Sequence, residues 1–256
     1  MIYDPVILTK IVENEVVREN KRKYFRFRKD KWYGGVVTGD VVGCNLRCKF
    51  CWAWRFTWNT KVKGVYLDPS EAFSLMKEKA KGRVRQLRVS GGEPTIGFEH
   101  LINLINISLA EKYHFIVETN GILIGLDKSC AVKLGEFHGQ GIEIRISIKG
   151  ASPKEFEKLT GAPARYWHVQ LKALVHLLDA GLEIGEEVYP AVMFSFSSKE
   201  DIKDLIEKLR EIDPKLPDYI DPEYVILYPH VRYLLNIMGL KPKIAYTPNN
   251  IPKELI

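Results

Sequence analysis

Six β-branched runs recur along the chain, and helical periodicity follows most of them. The runs are GGVVTGDVV, VRQLRVS (84–90), HFIVETNG (114–121), GIEIRISIKG (141–150), EVYPAVMFSF and EYVILYP. Between the first two, LDPSEAFSLMKEKAKG starts on Asp68 as N-cap, with Pro69 at the first helical position and Glu71 in the first turn, and it closes on Gly82. Further helices are predicted over 97–112, over 127–137, in SPKEFEKL, in RYWHVQLKALVHLLDAG up to Gly181, and in SKEDIKDLIEKLREI. Strands alternating with helices imply a parallel sheet with right-handed crossovers. The expected fold is therefore α/β, a partial (β/α)6 barrel with its function at the C-terminal ends of the strands.

Four chemistry-bearing segments fall at those ends: CNLRCKFC, SGGEP, ETNG and SIKG. The first places Cys44, Cys48 and Cys51 at C-x3-C-x2-C spacing and supplies no fourth cysteine. Structural zinc sites close a four-ligand shell, whereas three thiolates can hold three irons of a [4Fe–4S] cluster and leave the fourth iron open. A zinc knuckle completed by Cys130 or a histidine is the alternative, but no His lies among or just after the three cysteines. Cys130, within DKSCAVKL, reads as a small buried helix residue and cannot by itself support a second cluster.

The cysteine spacing resembles the defining motif of the radical S-adenosylmethionine (radical SAM) superfamily, with aromatic Phe50 just before the last cysteine. Gly91, Gly92, Glu93 and Pro94 are similar to the segment that meets the methionine end of the cofactor in that family. Glu118-Thr119-Asn120-Gly121 resembles the (D/E)TNG segment of glycyl radical activases of the pyruvate formate-lyase activating enzyme type. Ser147-Ile148-Lys149 falls where that group carries Asp-x-Lys, with Ser147 a departure from it. The resemblance implies cluster ligation by the three cysteines, and cofactor contacts from Phe50, the GGEP segment, Glu118, Asn120, Ser147 and Lys149. It also implies an enzyme, oxidoreductase or activase-like, that cleaves S-adenosylmethionine reductively to a 5′-deoxyadenosyl radical. That species would take hydrogen from a substrate, with a ferredoxin or flavodoxin as electron donor. Ser147 and Lys149 could instead point outward from their strand.

The substrate is less constrained. The formal charge of +6 is accounted for by residues 18–31, RENKRKYFRFRKDK, with eight Lys/Arg against two acids. Its interleaved aromatics suit nucleic acid, an acidic donor protein, or an edge strand with one solvated face. WAWRFTWN (52–59) could stack on a base, clasp a peptide loop, or shield the cluster. A glycyl radical protein and an RNA or nucleotide therefore both stand as substrates. His230, after Tyr228-Pro229, is the one histidine expected near the mouth of the site. The expected layout is a basic aromatic extension (1–33), a barrel core (34–230) and a tail packed on it (231–256). No apolar run reaches the length that crosses a bilayer, and the first residues lack the order of a signal peptide, so a cytoplasmic protein is expected.

Overall fold

A computed structural model describes residues 3–255. The chain begins with α1 (Pro5–Val16), which Asp4 caps by accepting hydrogen bonds from the Val6 and Ile7 amides, with Pro5 at the first helical position. A short strand β1 (Val17–Arg18) and the long β2 (Lys21–Asp30) follow, then β3 (Val36–Val41). The cysteine loop comes next, with α2 (Trp54–Thr57), β4 (Val65–Leu67) and α3 (Pro69–Ala80). Asp68 and Glu71 form the expected capping box of α3.

From there strands and helices alternate: β5 (Gln86–Gly91), α4 (Phe98–Ala110), β6 (His114–Thr119), α5 (Ile122–Leu126), α6 (Lys128–Gly135), β7 (Ile142–Ile148), α7 (Pro153–Thr160), α8 (Arg165–Asp179), β8 (Val188–Met193) and α9 (Lys199–Ile212). The chain ends with β9 (Asp221–Glu223), β10 (Val225–Ile226), α10 (Pro229–Ile237) and β11 (Ala245–Tyr246).

The main sheet has the order β1-β2-β3-β5-β6-β7-β8-β9, and β4 also pairs with β2. From β3 to β9 all neighbours run parallel, while β2 lies antiparallel to β3, β1 and β4. Among the described residues β9 does not return to β1, so the barrel is partial, as expected.

One local expectation gives way to a different strand, and another gains a helix before it. The sixth parallel strand is Asp221–Glu223 rather than the EYVILYP run. Pro222 lacks a ladder donor and suits this edge position, and Val225–Ile226 leaves the sheet to pair with Ala245–Tyr246. The helix expected over 127–137 forms as α6, capped by the Asp127 side chain, which accepts from Ser129 N–H, and the short α5 precedes it where no helix was expected.

The parallel strands have two unlike faces. Leu87, Val89, Phe115, Val117, Ile142, Ile144, Ile146, Ile148, Val188 and Val192 point toward the helices and are fully buried. Each such side chain contributes about 1.5–3 kcal/mol by leaving water. On the opposite face Arg88, Ser90, Glu118, Glu143, Arg145, Ser147 and Tyr189 line an interior cavity. Helices cover only the outer face, which is why these strands alternate instead of reading as continuous apolar runs.

Candidate active site

The cysteine loop leaves the C-terminal end of β3 through Gly43, whose N–H donates to Phe56 C=O. Glu93 N–H donates to Gly43 C=O at 2.9 Å, so the GGEP segment after β5 lies directly against the backbone before Cys44. A Cβ on Gly92 would sit 2.1 Å from that Gly43 oxygen, and only glycine permits the approach. The loop is also tied from α1 and its cap. Tyr3 Oη accepts from Arg47 N–H at 2.7 Å, and Asn45 donates to Thr9 Oγ1 at 3.1 Å. Asn120, at the end of β6, donates to Asn45 Oδ1 at 2.7 Å and stands 3.8 Å from Cys44 Sγ.

Cys44, Cys48 and Cys51 all line one cavity of about 910 Å³. Burial pushes the Cys44 thiol up to about 12 and raises Cys48 and Cys51 as well, with Lys149 opposing the rise at the latter two. Thiolates here need a cationic partner of the kind a metal centre provides. Among the described residues no three His, Cys, Asp or Glu side chains converge on one ion. A cubane cluster asks each thiolate for a different iron, so the donor set fits a three-cysteine cluster better than a zinc knuckle. Cys130 sits half-buried on α6 and does not reach the cavity.

The other residues singled out from the sequence gather around the same space. Phe50, Gly91, Gly92, Glu93, Glu118, Asn120, Ser147 and Lys149 line it, while Pro94 is buried behind the loop and does not. Ser147 and Lys149 point inward: both reach Glu223, the hydroxyl at 2.5 Å and the ammonium at 3.2 Å. The Glu93 carboxylate is saturated by protein donors. Thr95 N–H, Thr95 Oγ1, Thr119 Oγ1 and Asn120 N–H all donate to it, locking GGEP to the TNG segment.

Glu118 accepts from Tyr33 Oη at 2.6 Å, Arg88 at 2.9 Å and Ser90 at 2.8 Å. Burial disfavours its charge, but Arg88 and Arg145 with those hydrogen bonds outweigh that and hold it at about 2. Glu223 is likewise held low against its burial by Lys149 and Arg145.

Of the aromatic run after the cysteines, only Trp52 and Thr57 face the cavity. His230 Nε2 lies 2.8 Å from Trp52 C=O, and Trp54 Nε1 donates to His230 C=O at 3.3 Å, which fastens this segment to the start of α10. His230 lines the cavity as expected. The sequence reading missed Tyr33, Arg88, Glu143, Arg145, Tyr189, Asp221 and Glu223, all of which line it too. For Arg88, Glu143 and Arg145 the signal was present as period-2 alternation of polar residues in QLRVS and IEIRISIK, which marks a strand with one face turned away from the helices.

A parallel partial barrel with three cysteines on the loop after its first parallel strand, packed against a diglycine turn after the next, defines a cluster-dependent enzyme class. The chain belongs to the radical SAM superfamily, whose family model matches residues 40–209. Members of this superfamily use a [4Fe–4S] cluster and S-adenosylmethionine and need a reductant.

Similarity extends to proteins named GTP 3′,8-cyclase. That of Methanosarcina mazei, named as probable, is 29% identical over 158 residues, covering 59% of this chain and 44% of the relative. That of Haemophilus ducreyi is 26% identical over 161 residues, covering 62% and 43%. The chain thus spans about half the length of the curated relatives it matches. The solved structure of TYW1 with a lysine-pyruvate adduct bound overlaps at TM-score 0.48 and 16% identity, over 80% of this chain and 72% of that one. QueE from Escherichia coli overlaps at TM-score 0.40 and 12% identity, over 82% and 95%. Among the described residues no helix is long and apolar enough to cross a membrane.

Proposed function

We propose that the protein is a radical SAM enzyme acting on a nucleotide-class small molecule held inside the partial barrel. The observation that carries this reading is that all four motif segments open on a single cavity of about 910 Å³. That volume lies toward the upper end of the ~300–1,000 Å³ typical of ligand sites, so a cofactor and a second small molecule fit together. The partial likeness to GTP 3′,8-cyclases supports a nucleotide over a glycyl radical protein. The (D/E)TNG resemblance alone favours the protein substrate, and here Glu118 is engaged by Tyr33, Arg88 and Ser90.

In this reading Cys44, Cys48 and Cys51 hold the cluster, and Asn120, hydrogen-bonded to Asn45, keeps the loop from shifting. The exposed backbone of Gly91–Gly92 and the side chains of Ser147 and Lys149 face S-adenosylmethionine, with Phe50 beside the loop. Bound together and reduced by a small donor such as ferredoxin or flavodoxin, the two cofactors supply a 5′-deoxyadenosyl radical able to take hydrogen from an unactivated carbon. The chain's own work is orientation and the exclusion of water and oxygen, to which Trp52 and the tie to His230 contribute.

The test is anaerobic. The protein is reconstituted with iron and sulfide, reduced with dithionite and given S-adenosylmethionine, and 5′-deoxyadenosine is quantified with guanosine triphosphate, an RNA pool or a glycine-loop peptide added. Stimulation by the nucleotide above the other two is expected. Stimulation by the peptide alone would transfer the assignment to the activase type, and a complete absence of 5′-deoxyadenosine in every arm would overturn the enzyme reading.

A further inference from the structure

The long antiparallel strand β2 carries an irregularity whose effect reaches the cavity. Tyr24 pairs with Val41 but Arg26 pairs with Asp40, so the ladder shifts by one residue at Phe25. A bulge of this kind reverses the side-chain phase of a strand. Before it, Tyr24 is fully buried on the outer face, where it meets His100. After it, Arg26 and Arg28 line the cavity, and Phe27 returns to the outer side to stack on Tyr24.

Both arginines are aimed by one carboxylate. Asp40, whose side chain is fully buried, accepts from Arg26 Nε at 2.7 Å and from Arg28 Nε at 2.8 Å. The ionic alternation then continues inward from Arg28 to Asp30, from Asp30 to Arg88 at 2.8 Å and from Arg88 to Glu118 at 2.9 Å. Its outer end is Arg26. Only Nε of that guanidinium is used, and among the described residues both Nη groups lack a hydrogen-bond acceptor. The Arg26 side chain is 44% exposed, so water reaches that edge. The Trp52 ring lies beneath both guanidinium groups, 5.5 Å from Arg26 and 5.4 Å from Arg28, which fixes their planes.

A series of charges that alternates in sign and stops on an open guanidinium edge offers that edge to an anion. The two Nη groups present parallel N–H donors of the geometry that an oxyanion takes up in bidentate fashion. We propose that Arg26, backed by Arg28, Asp40 and Trp52, is the subsite that holds an anionic group, phosphate or carboxylate, of a small-molecule substrate. This deepens the nucleotide-class reading and rests on it. In that arrangement Arg26 fixes the charged end of the substrate beside Trp52, and the rest of the substrate lies in the cavity that both residues line.

The experiment measures binding calorimetrically on reconstituted holoenzyme, with inorganic tripolyphosphate and citrate as separate probes, for the wild type and for Arg26→Ala, Arg26→Lys and the remote surface control Arg210→Ala. Whichever probe the wild type binds identifies the oxyanion. The expected result is about tenfold weaker binding of that probe in Arg26→Ala, an intermediate loss in Arg26→Lys, where charge remains without the planar fork, and no change in Arg210→Ala. Equal affinity in wild type and Arg26→Ala, no binding of either probe by the wild type at millimolar concentration, or an equal loss in the control would overturn the subsite. Formation of 5′-deoxyadenosine by the same wild-type preparation is read alongside. Cleavage without anion binding removes the subsite and leaves the enzyme reading standing, whereas anion binding without cleavage in any of the substrate arms removes the enzyme reading.

Discussion

Gly92 is the residue at which two motifs distant in sequence become one site. Because its missing Cβ makes room for Gly43 C=O, Gly92→Ala must separate the GGEP turn from the cysteine loop. We expect that variant to lose at least tenfold in 5′-deoxyadenosine formation while retaining its circular dichroism spectrum. Full activity would show the contact to be dispensable. Glu118 gives a pH signature. Its folded value of about 2 lies below the ordinary 4.5, so its contribution is present above about 4.5 and is lost as pH falls through 2. That difference is worth on the order of 3 kcal/mol. Glu118→Gln should therefore be less stable than wild type at neutral pH by that order, and denaturant titrations of the metal-free proteins should show the gap narrowing as the solution is acidified below 4.5. A gap that is constant with pH would mean that the Arg88 pairing is not what holds the carboxylate charged.

Elements carry the site by being tied to one another. The helix α1 precedes the sheet in sequence, yet Thr9 and the neighbouring Tyr3 both grip the cysteine loop, at Asn45 and at the Arg47 amide. Asp4 caps that helix and also receives Tyr166 Oη and Arg165. Asp4→Ala should cost about 1 kcal/mol through the cap, lowering the melting temperature by roughly 2–4 °C, and should also reduce iron bound per chain after reconstitution. An unchanged iron content would show that the loop holds its shape without α1. The strands and helices that follow the cysteines were legible because Asp68, Pro69 and Glu71, or the Ile-rich alternation of β7, announce themselves locally. Tyr33 was not. It reaches Glu118 from a turn in which its own backbone is left-handed (φ 57°), a placement set by the β2–β3 pairing rather than by neighbours in sequence. The basic arm was readable as a strand, but Arg26 and Arg28 line the cavity because of a bulge that no composition reveals.

At the scale of the whole molecule, the alternating strands separate a greasy shell from a charged interior. Ile146 is fully buried toward the helices, whereas its neighbours Arg145 and Ser147 line the cavity. Ile146→Ala should cost 2–5 kcal/mol in unfolding free energy and leave the rate per folded, cluster-loaded molecule within about twofold of wild type. A large loss of rate at equal loading would show that shell and interior are mechanically coupled. The cysteine loop, the diglycine turn and the first five parallel strands were visible in the sequence because each is marked by short spacing, whereas the sixth strand was misplaced onto EYVILYP. Glu223 was hidden because its partners Arg145, Ser147 and Lys149 lie more than seventy positions away and meet it only once β7, β8 and β9 stand side by side.

The two-faced strands have a consequence for descent as well as for chemistry. β5, β7 and β8 devote alternate residues to adhesion, so a lineage can exchange the unpaired lining positions while the scaffold persists, whereas buried ion-paired ones such as Arg88 with Glu118 have to change together. New substrates can be explored along β5, β7 and β8 without the chain first having to survive a failure to fold.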